Sequence, residues 1–158
     1  MRQPILDREQ RVVIRRAGVA EADRAYELVT EYYEAVQVVA RESRDRFIRD
    51  YFGPAAGFWL AWVGREIAGC IAVRALEEMA GAEIKRMYVR PAWRGIGLAQ
   101  KLLEAAECLA REAGYGSMYL DTTDEMLAAA RLYERNGYQR CERYNQNPQA
   151  TIFMCKKL

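Results

Sequence analysis

The chain contains no histidine. That absence removes Ser-His-Asp and Cys-His catalysis, and any zinc site built with imidazole. Cysteine is sparse and scattered, at Cys70, Cys108, Cys141 and Cys155. None stand at the two- to four-residue spacing of a structural zinc site, so no metal is expected. Each lies in or beside an apolar run, so all four are expected to be small core residues kept reduced in a cytoplasm. Proline is limited to 4 residues and glycine to 11, which excludes collagen-like and mucin-like chains. Lysine is confined to Lys85, Lys101, Lys156 and Lys157. The longest apolar stretches, such as Phe58 to Val63, fall far short of a bilayer span. The opening MRQPILDREQ has no hydrophobic signal core. A cytoplasmic protein without a membrane partner is therefore expected.

What is present is enough for a folded core. Hydrophobic residues make up 51% of the 158 positions, which sets disorder aside. The length suits one domain over 1–158, with a core at about 12–157. The formal net charge is only +2 despite 29% charged residues. Such near-balance argues against a nucleic-acid partner. The Arg-rich segment from Arg41 to Arg49 carries Glu42 and Asp45, with Asp50 following, and reads as a solvated helix face.

Hydrophobic periodicity orders the elements. Val12–Arg15 is a short strand. From Ala20 a helix is expected, with Tyr26, Val29 and Tyr33 on one face. A second helical stretch carries Val36, Val39 and Ala40, then Phe47 and Tyr51, and ends at Phe52-Gly53-Pro54. Gly57–Val63 and Ile67–Leu76 form a hairpin about Gly64-Arg65. Glu83–Val89 is the next strand, alternating Ile84, Arg86, Tyr88 against Lys85, Met87, Val89. Gly97–Arg111 is the most regular helix, with Leu98, Leu102, Ala105, Ala106 and Leu109 on its apolar stripe and Lys101, Glu104 and Glu107 outside it. Ser117–Leu120 is a strand, Asp124 a cap for a helix over Glu125–Arg135, and Tyr138–Tyr144 and Thr151–Cys155 late strands. A strand-helix-strand crossover from Glu83 to Leu120 implies a parallel pair. The expected fold is α/β, a single mixed and twisted sheet flanked by helices.

The chemistry concentrates where Glu83–Val89 ends. Arg90-Pro91-Ala92-Trp93-Arg94-Gly95-Ile96-Gly97-Leu98-Ala99 runs through a two-glycine turn straight into a long helix. Glycine admits backbone angles closed to other residues, and lets the chain approach a guest closely. First-turn N–H groups have no partner inside a helix, and the dipole adds positive potential. Phosphate suits such a turn, and Arg94 offers a charged contact. A dinucleotide fingerprint is excluded because position 100 is Gln, and no Gly-Lys-Ser/Thr run provides a P-loop.

These residues resemble the GNAT (GCN5-related) N-acetyltransferases. The acetyl-CoA motif of that superfamily, Gln/Arg-x-x-Gly-x-Gly/Ala, is matched by Arg94-Gly95-Ile96-Gly97-Leu98-Ala99. A second block is matched by Ala129-Ala130-Arg131-Leu132-Tyr133-Glu134-Arg135-Asn136-Gly137-Tyr138. The resemblance extends from Val12 to the end and is that of a small bacterial member of uncharacterised substrate. It implies the acyl-CoA N-acyltransferase fold, acetyl-CoA as co-substrate, and direct transfer of acetyl to a primary amine. On it, Met87, Tyr88 and Val89 border the pantetheine arm, with the backbone of Met87 and Val89 pairing with it as an added strand would. The amides of Arg94, Gly95, Ile96, Gly97, Leu98 and Ala99 hold the pyrophosphate. Thr122, Ala130 and Leu132 border the other side. Tyr133 protonates the departing thiolate, and Glu83 is the candidate base, directly or through water. A homodimer is the default expectation.

The acceptor side is less determined. Tyr26, Tyr32, Tyr33, Glu31, Glu34, Phe52, Trp59, Glu77, Glu78 and Tyr144 are the aromatic and acidic candidates, a set suited to a small-molecule or peptide amine. Glu83 also reads as a solvated strand-start residue, and Tyr133 as a core aromatic. A non-catalytic acyl-CoA-binding or regulatory module is the alternative to an enzyme.

Overall fold

The computed structural model describes residues 11–158. The expectation concerning the first ten residues lies outside them. Strand β1 (Val12–Arg16) leads through a short 3-10 turn into α1 (Ala22–Ala35), then α2 (Arg44–Tyr51). The hairpin β2 (Gly57–Val63) and β3 (Glu66–Leu76) follows, then β4 (Gly81–Val89). Helix α3 (Leu98–Glu112), β5 (Ser117–Thr122), α4 (Leu127–Arg135), β6 (Gln139–Arg140) and β7 (Ile152–Lys157) complete the chain. All seven strands join one sheet in the order β1-β2-β3-β4-β5-β7-β6. Among the described residues only β4 and β5 run parallel, as the crossover requires.

Two apolar layers cover the sheet. Leu98, Leu102, Leu103 and Ala106 of α3, with Leu132 and Tyr133 of α4, pack on Ile71, Ile84, Met118 and Leu120. On the opposite face Leu28, Val29 and Tyr33 of α1, with Phe47 and Tyr51 of α2, pack on Phe58, Leu60, Cys70 and Ala72. Strand β2 is buried almost throughout, because it lies between β1 and β3 with helices on both faces.

Several boundaries differ from expectation. Val36–Ala40 is not helical: α1 stops at Ala35, Gln37 has φ 53°, and Val39 is exposed. Helix α2 restarts at Arg44, capped by Ser43, whose Oγ accepts the Arg46 amide at 3.3 Å. Asp124 does not cap α4, which starts later with Met126 at the cap position. The expected strand over Tyr138–Tyr144 shrinks to Gln139–Arg140, because only that stretch pairs with β7. Among the cysteines only Cys70 is buried, and Cys108 is exposed.

The alternation expected along β4 is broken by a bulge. Cys70 pairs with Tyr88 but Ala72 with Lys85, so Arg86 and Met87 share the single position opposite Ile71. Arg86 takes φ 55°. Ile84, Met87 and Val89 consequently pack on the α3 layer, while Arg86 joins Tyr88 on the α1 layer, its guanidinium over Tyr33. Gly69 permits the approach of β3 to the bulged strand, since a Cβ there would lie 2.7 Å from the Tyr88 carbonyl oxygen.

Glu107 also departs from expectation. Its side chain is buried on α3, where it accepts from the Tyr138 hydroxyl at 3.0 Å and from Lys156 Nζ at 3.0 and 3.1 Å. These contacts tie α3 to the last strand. Removing one partner of such a group leaves the others buried and unpaired. Glu107→Ala is expected to destabilise the fold by about 2–4 kcal/mol in urea unfolding, against less than about 0.5 kcal/mol for Glu104→Ala on the exposed face.

Candidate active site

Strands β4 and β5 pair only from Ala82 to Ile84 on one side and Met118 to Leu120 on the other. Beyond that point they part. Strand β4 runs on through the bulge with only β3 beside it, and β5 stays paired with β7 to Thr122. The edge of β4 from Lys85 to Val89 that faces β5 is therefore free of a strand partner. Met87 and Val89, which the resemblance assigns to the pantetheine arm, lie on this edge.

From the free end of β4 the chain passes through a short turn into α3, and Arg94 in that turn bonds back to Val89. Gly95 and Gly97 have φ 82° and 85°, a region costly to other residues. Gly97 occupies the cap position with no side chain to meet the first-turn amides. A Cβ at either glycine would meet no protein atom within 4 Å, so both glycines border open space. A 15-residue helix thus presents uncapped N–H groups beside the free edge of β4, which fits an anionic guest. Leu98 is buried in the core, with Ile96 and Ala99 partly buried against it. The Arg94 side chain turns back, its Nε donating to the Val89 carbonyl at 2.9 Å. The two motif blocks are joined by a reciprocal amide pair: Gln100 Nε2 donates to Asn136 Oδ1, and Asn136 Nδ2 to Gln100 Oε1, each at 2.8 Å.

Tyr133 lies inside the α4 layer, its ring packed edge-on to Tyr138 with centroids 5.6 Å apart. Burial is the main cause that pushes its hydroxyl pKa well up, helped by Tyr32 and Asp121. The phenol is thus protonated at neutral pH. Thr122, Ala130 and Leu132 are all buried nearby in sequence or fold, on β5 and α4.

Glu83 is not the solvated strand-start residue that its position allowed. It is fully buried on the α1 side of the sheet. One oxygen accepts from Arg74 Nε at 2.9 Å, and the other from Asn145 Nδ2 at 3.2 Å, with Lys85 Nζ at 3.5 Å. The Tyr144 hydroxyl is buried beside it without a hydrogen bond of good geometry. Lys85 also meets Asp121 at 2.9 Å, and Asn145 and Asn147 donate to the same carboxylate. Arg86 Nε donates to Glu42 Oε1 at 3.1 Å, and that oxygen also accepts from the Tyr33 hydroxyl at 2.9 Å.

Of the aromatic and acidic candidates, Tyr32, Tyr33 and Tyr144 border this cluster. Glu31 instead pairs with Arg90 at 2.6 Å, and Trp59 packs in the α3 layer. Glu34, Glu77 and Glu78 are exposed. Tyr26 donates to the Glu42 carbonyl at 2.9 Å, and Phe52 stacks on Phe58. Sequence reasoning missed Arg74, Lys85, Arg86, Glu42 and Asp121. Asp121 alone left a signal, a carboxylate at the end of an apolar strand.

A sequence profile of the Acetyltransferase (GNAT) family matches residues 22–138. An uncharacterized N-acetyltransferase of Schizosaccharomyces pombe is 39% identical over 101 residues, covering 61% of this chain and 61% of that protein. The chain thus spans about three fifths of that relative's length. A GNAT-family acetyltransferase structure from Staphylococcus aureus superposes with TM-score 0.80 at 18% identity, covering 93% of this chain and 99% of that one. The PaiA N-acetyltransferase of Thermoplasma acidophilum, solved in complex with coenzyme A, gives TM-score 0.70 at 17% identity, covering 94% and 99%.

The Asp121 carboxyl has a measurable pH signature. Burial pushes its pKa up, but the Lys85 charge and the hydrogen bonds from Asn145, Lys85 and Asn147 outweigh burial and hold it below the ordinary 3.8. A depressed carboxyl contributes stability above its unfolded value, and that stability is lost as pH falls through the folded value. Denaturant unfolding from about pH 7 to about pH 3 should therefore show an acid loss of stability that Asp121→Asn reduces.

Proposed function

We propose that this chain, which belongs to the Acetyltransferase (GNAT) family, moves the acetyl group of acetyl-CoA to a primary amine by direct attack within a ternary complex. The observation that carries this reading is the parted β4–β5 seam with the uncapped α3 N-terminus a short turn beyond β4. An extended amide-bearing arm pairs with a free strand edge. A pyrophosphate pairs with uncapped helix amides. The amides from Arg94 to Ala99 take the pyrophosphate, and the backbone of Met87 and Val89 takes the arm, with Tyr88 between them packed toward α1. The solved PaiA complex with coenzyme A supports acetyl-CoA as the co-substrate.

The substrate supplies a thioester carbonyl, the electrophile. The amine nitrogen first forms a bond to that carbon, moving the carbonyl electron pair onto oxygen, and the carbon–sulfur bond then breaks as the carbonyl re-forms. Two protons must be managed. Tyr133 donates one to the departing thiolate, for which its raised pKa keeps it supplied at neutral pH. The amine gives up the other toward Glu83. Glu83 has no exposed surface and is held by Arg74 and Asn145, so its part runs through an intervening water rather than by direct contact. A backbone N–H at the Val89 end of β4 stabilises the oxyanion that forms between these steps. A purely acyl-CoA-binding module would have no need of the buried charged cluster on the α1 side of β4.

Isothermal titration should show saturable acetyl-CoA binding to the wild-type chain and to Tyr133→Phe alike. In an amine screen, Tyr133→Phe should lower kcat about 100-fold while leaving that affinity within about threefold. Unchanged turnover would remove Tyr133 from the acid role. An absence of acetyl-CoA binding in the wild type would overturn the reading.

A further inference from the structure

The charged cluster on the α1 side of β4 narrows the acceptor. It holds three cations, Arg74, Lys85 and Arg86, matched by three carboxylates, Glu83, Asp121 and Glu42. These three pairs balance, and Arg41 over the Tyr33 ring adds a further cation. A polyamine would bring unmatched positive charge into the cluster, whereas a zwitterion brings none.

Arg86 differs from Lys85 in carrying a guanidinium fork, and from Arg74, which is likewise held through Nε, in a second contact that fixes its plane. The bulge turns it to the α1 side directly after Lys85. Its Nε is anchored on Glu42 at 3.1 Å and its guanidinium lies 5.2 Å from the centre of the Tyr33 ring. Both contacts fix its plane. Its two terminal nitrogens donate to no group among the described residues, and 16% of the side chain is exposed. An oriented, half-buried guanidinium with its fork free matches a carboxylate in bidentate geometry.

A second observation points the same way. The Tyr51 hydroxyl is buried, with the residue 1% exposed, and has no hydrogen-bond partner. It packs in the same layer as Tyr33, whose hydroxyl shares Glu42 with Arg86, and the charges of Arg86, Glu42, Arg74 and Glu83 act on it. Buried hydroxyls are rarely left unpartnered, and this one is a further donor available on the α1 side. The cluster is bordered by two loops that are laced together: Gln149 Oε1 accepts the Val39 amide at 2.9 Å, and Gln149 Nε2 donates to the Gln37 carbonyl at 3.2 Å. This lacing suits a small acceptor.

We infer that the acceptor is a free amino acid or a closely similar small amine bearing a carboxylate, with the Arg86 fork holding that carboxylate. The inference rests on the acetyl-transfer reading above and specifies its acceptor. Arg86 acts here as a specificity residue. The bond-making step is unchanged, and the carboxylate is a handle that positions the amine.

The test is an initial-rate comparison on the full chain with acetyl-CoA, following N-acetyl product by mass spectrometry. The probes are the L-amino acids, their carboxamides and their decarboxylated amines. At least one free acid should exceed its matched amide in kcat/KM by about ten- to a hundredfold, the value of a charge-assisted pair. Arg86→Lys retains a charge for Glu42 but loses the fork, and should erase most of that preference through KM with kcat less affected. Equal use of acids and amides, preference for decarboxylated amines, or an undiminished preference in a folded Arg86→Lys would overturn the inference and leave acetyl transfer standing. Failure of every compound in all three sets would overturn the inference and count against acetyl transfer as well. The wild-type comparison stands even if the variant does not fold.

Discussion

The site depends on where β4 stops pairing with β5. A parallel pair held along its whole length would leave no free edge and no gap between the faces. Pairing ends at Ile84, and two residues later Arg86 sits at φ 55°. A non-glycine residue in that region costs about 1–3 kcal/mol. The contacts of Arg86 with Glu42 and Tyr33 offset part of that cost. The bulge has two effects. It keeps Met87 and Val89 on the α3 layer, and it aims Arg86 to the opposite face.

The two sides of the seam are built differently. The start of α3 is made of backbone: left-handed glycines and uncapped amides, with no carboxylate in the first helical turn. The α1 side is made of side chains, with each cation beside a carboxylate. Buried ions are costly unless paired and hydrogen-bonded. Asn145 and Asn147 complete that requirement from a loop, since Asn145 reaches both Glu83 and Asp121. Arg74, Glu83, Lys85, Arg86 and Asp121 stand on strands, while Glu42, Asn145 and Asn147 reach the cluster from loops.

The same division explains what could be read from the amino-acid sequence. The hairpin, the crossover and the glycine turn before α3 were legible because local backbone preference and periodicity decide them. The Tyr133 and Gly97 blocks were legible as a resemblance, at the spacing the fold uses. The bulge was not legible: Arg86 and Met87 fit a plain alternation, and only the register with β3 shows the extra residue. Glu107 looked solvated because helical spacing does not disclose that Tyr138 and Lys156 come to meet it from far along the chain. Val36–Ala40 carried a helical pattern yet forms a loop: Gln37 turns to φ 53° and the Val38 amide donates back to the Tyr33 carbonyl at 2.9 Å, closing α1. The strand expected over Tyr138–Tyr144 is cut short where Tyr144 packs on Tyr119 and Phe153.

The proposed acetyl transfer requires the parted seam and the start of α3 to receive the acyl carrier together. Amide hydrogen exchange with and without acetyl-CoA measures this directly, because it reads the backbone groups concerned. Slowed exchange is expected in two separated stretches, residues 85–89 of β4 and residues 94–99 at the start of α3, with little change in β1 and β2. Protection confined to other elements, or none in either stretch at saturating acetyl-CoA, would contradict it.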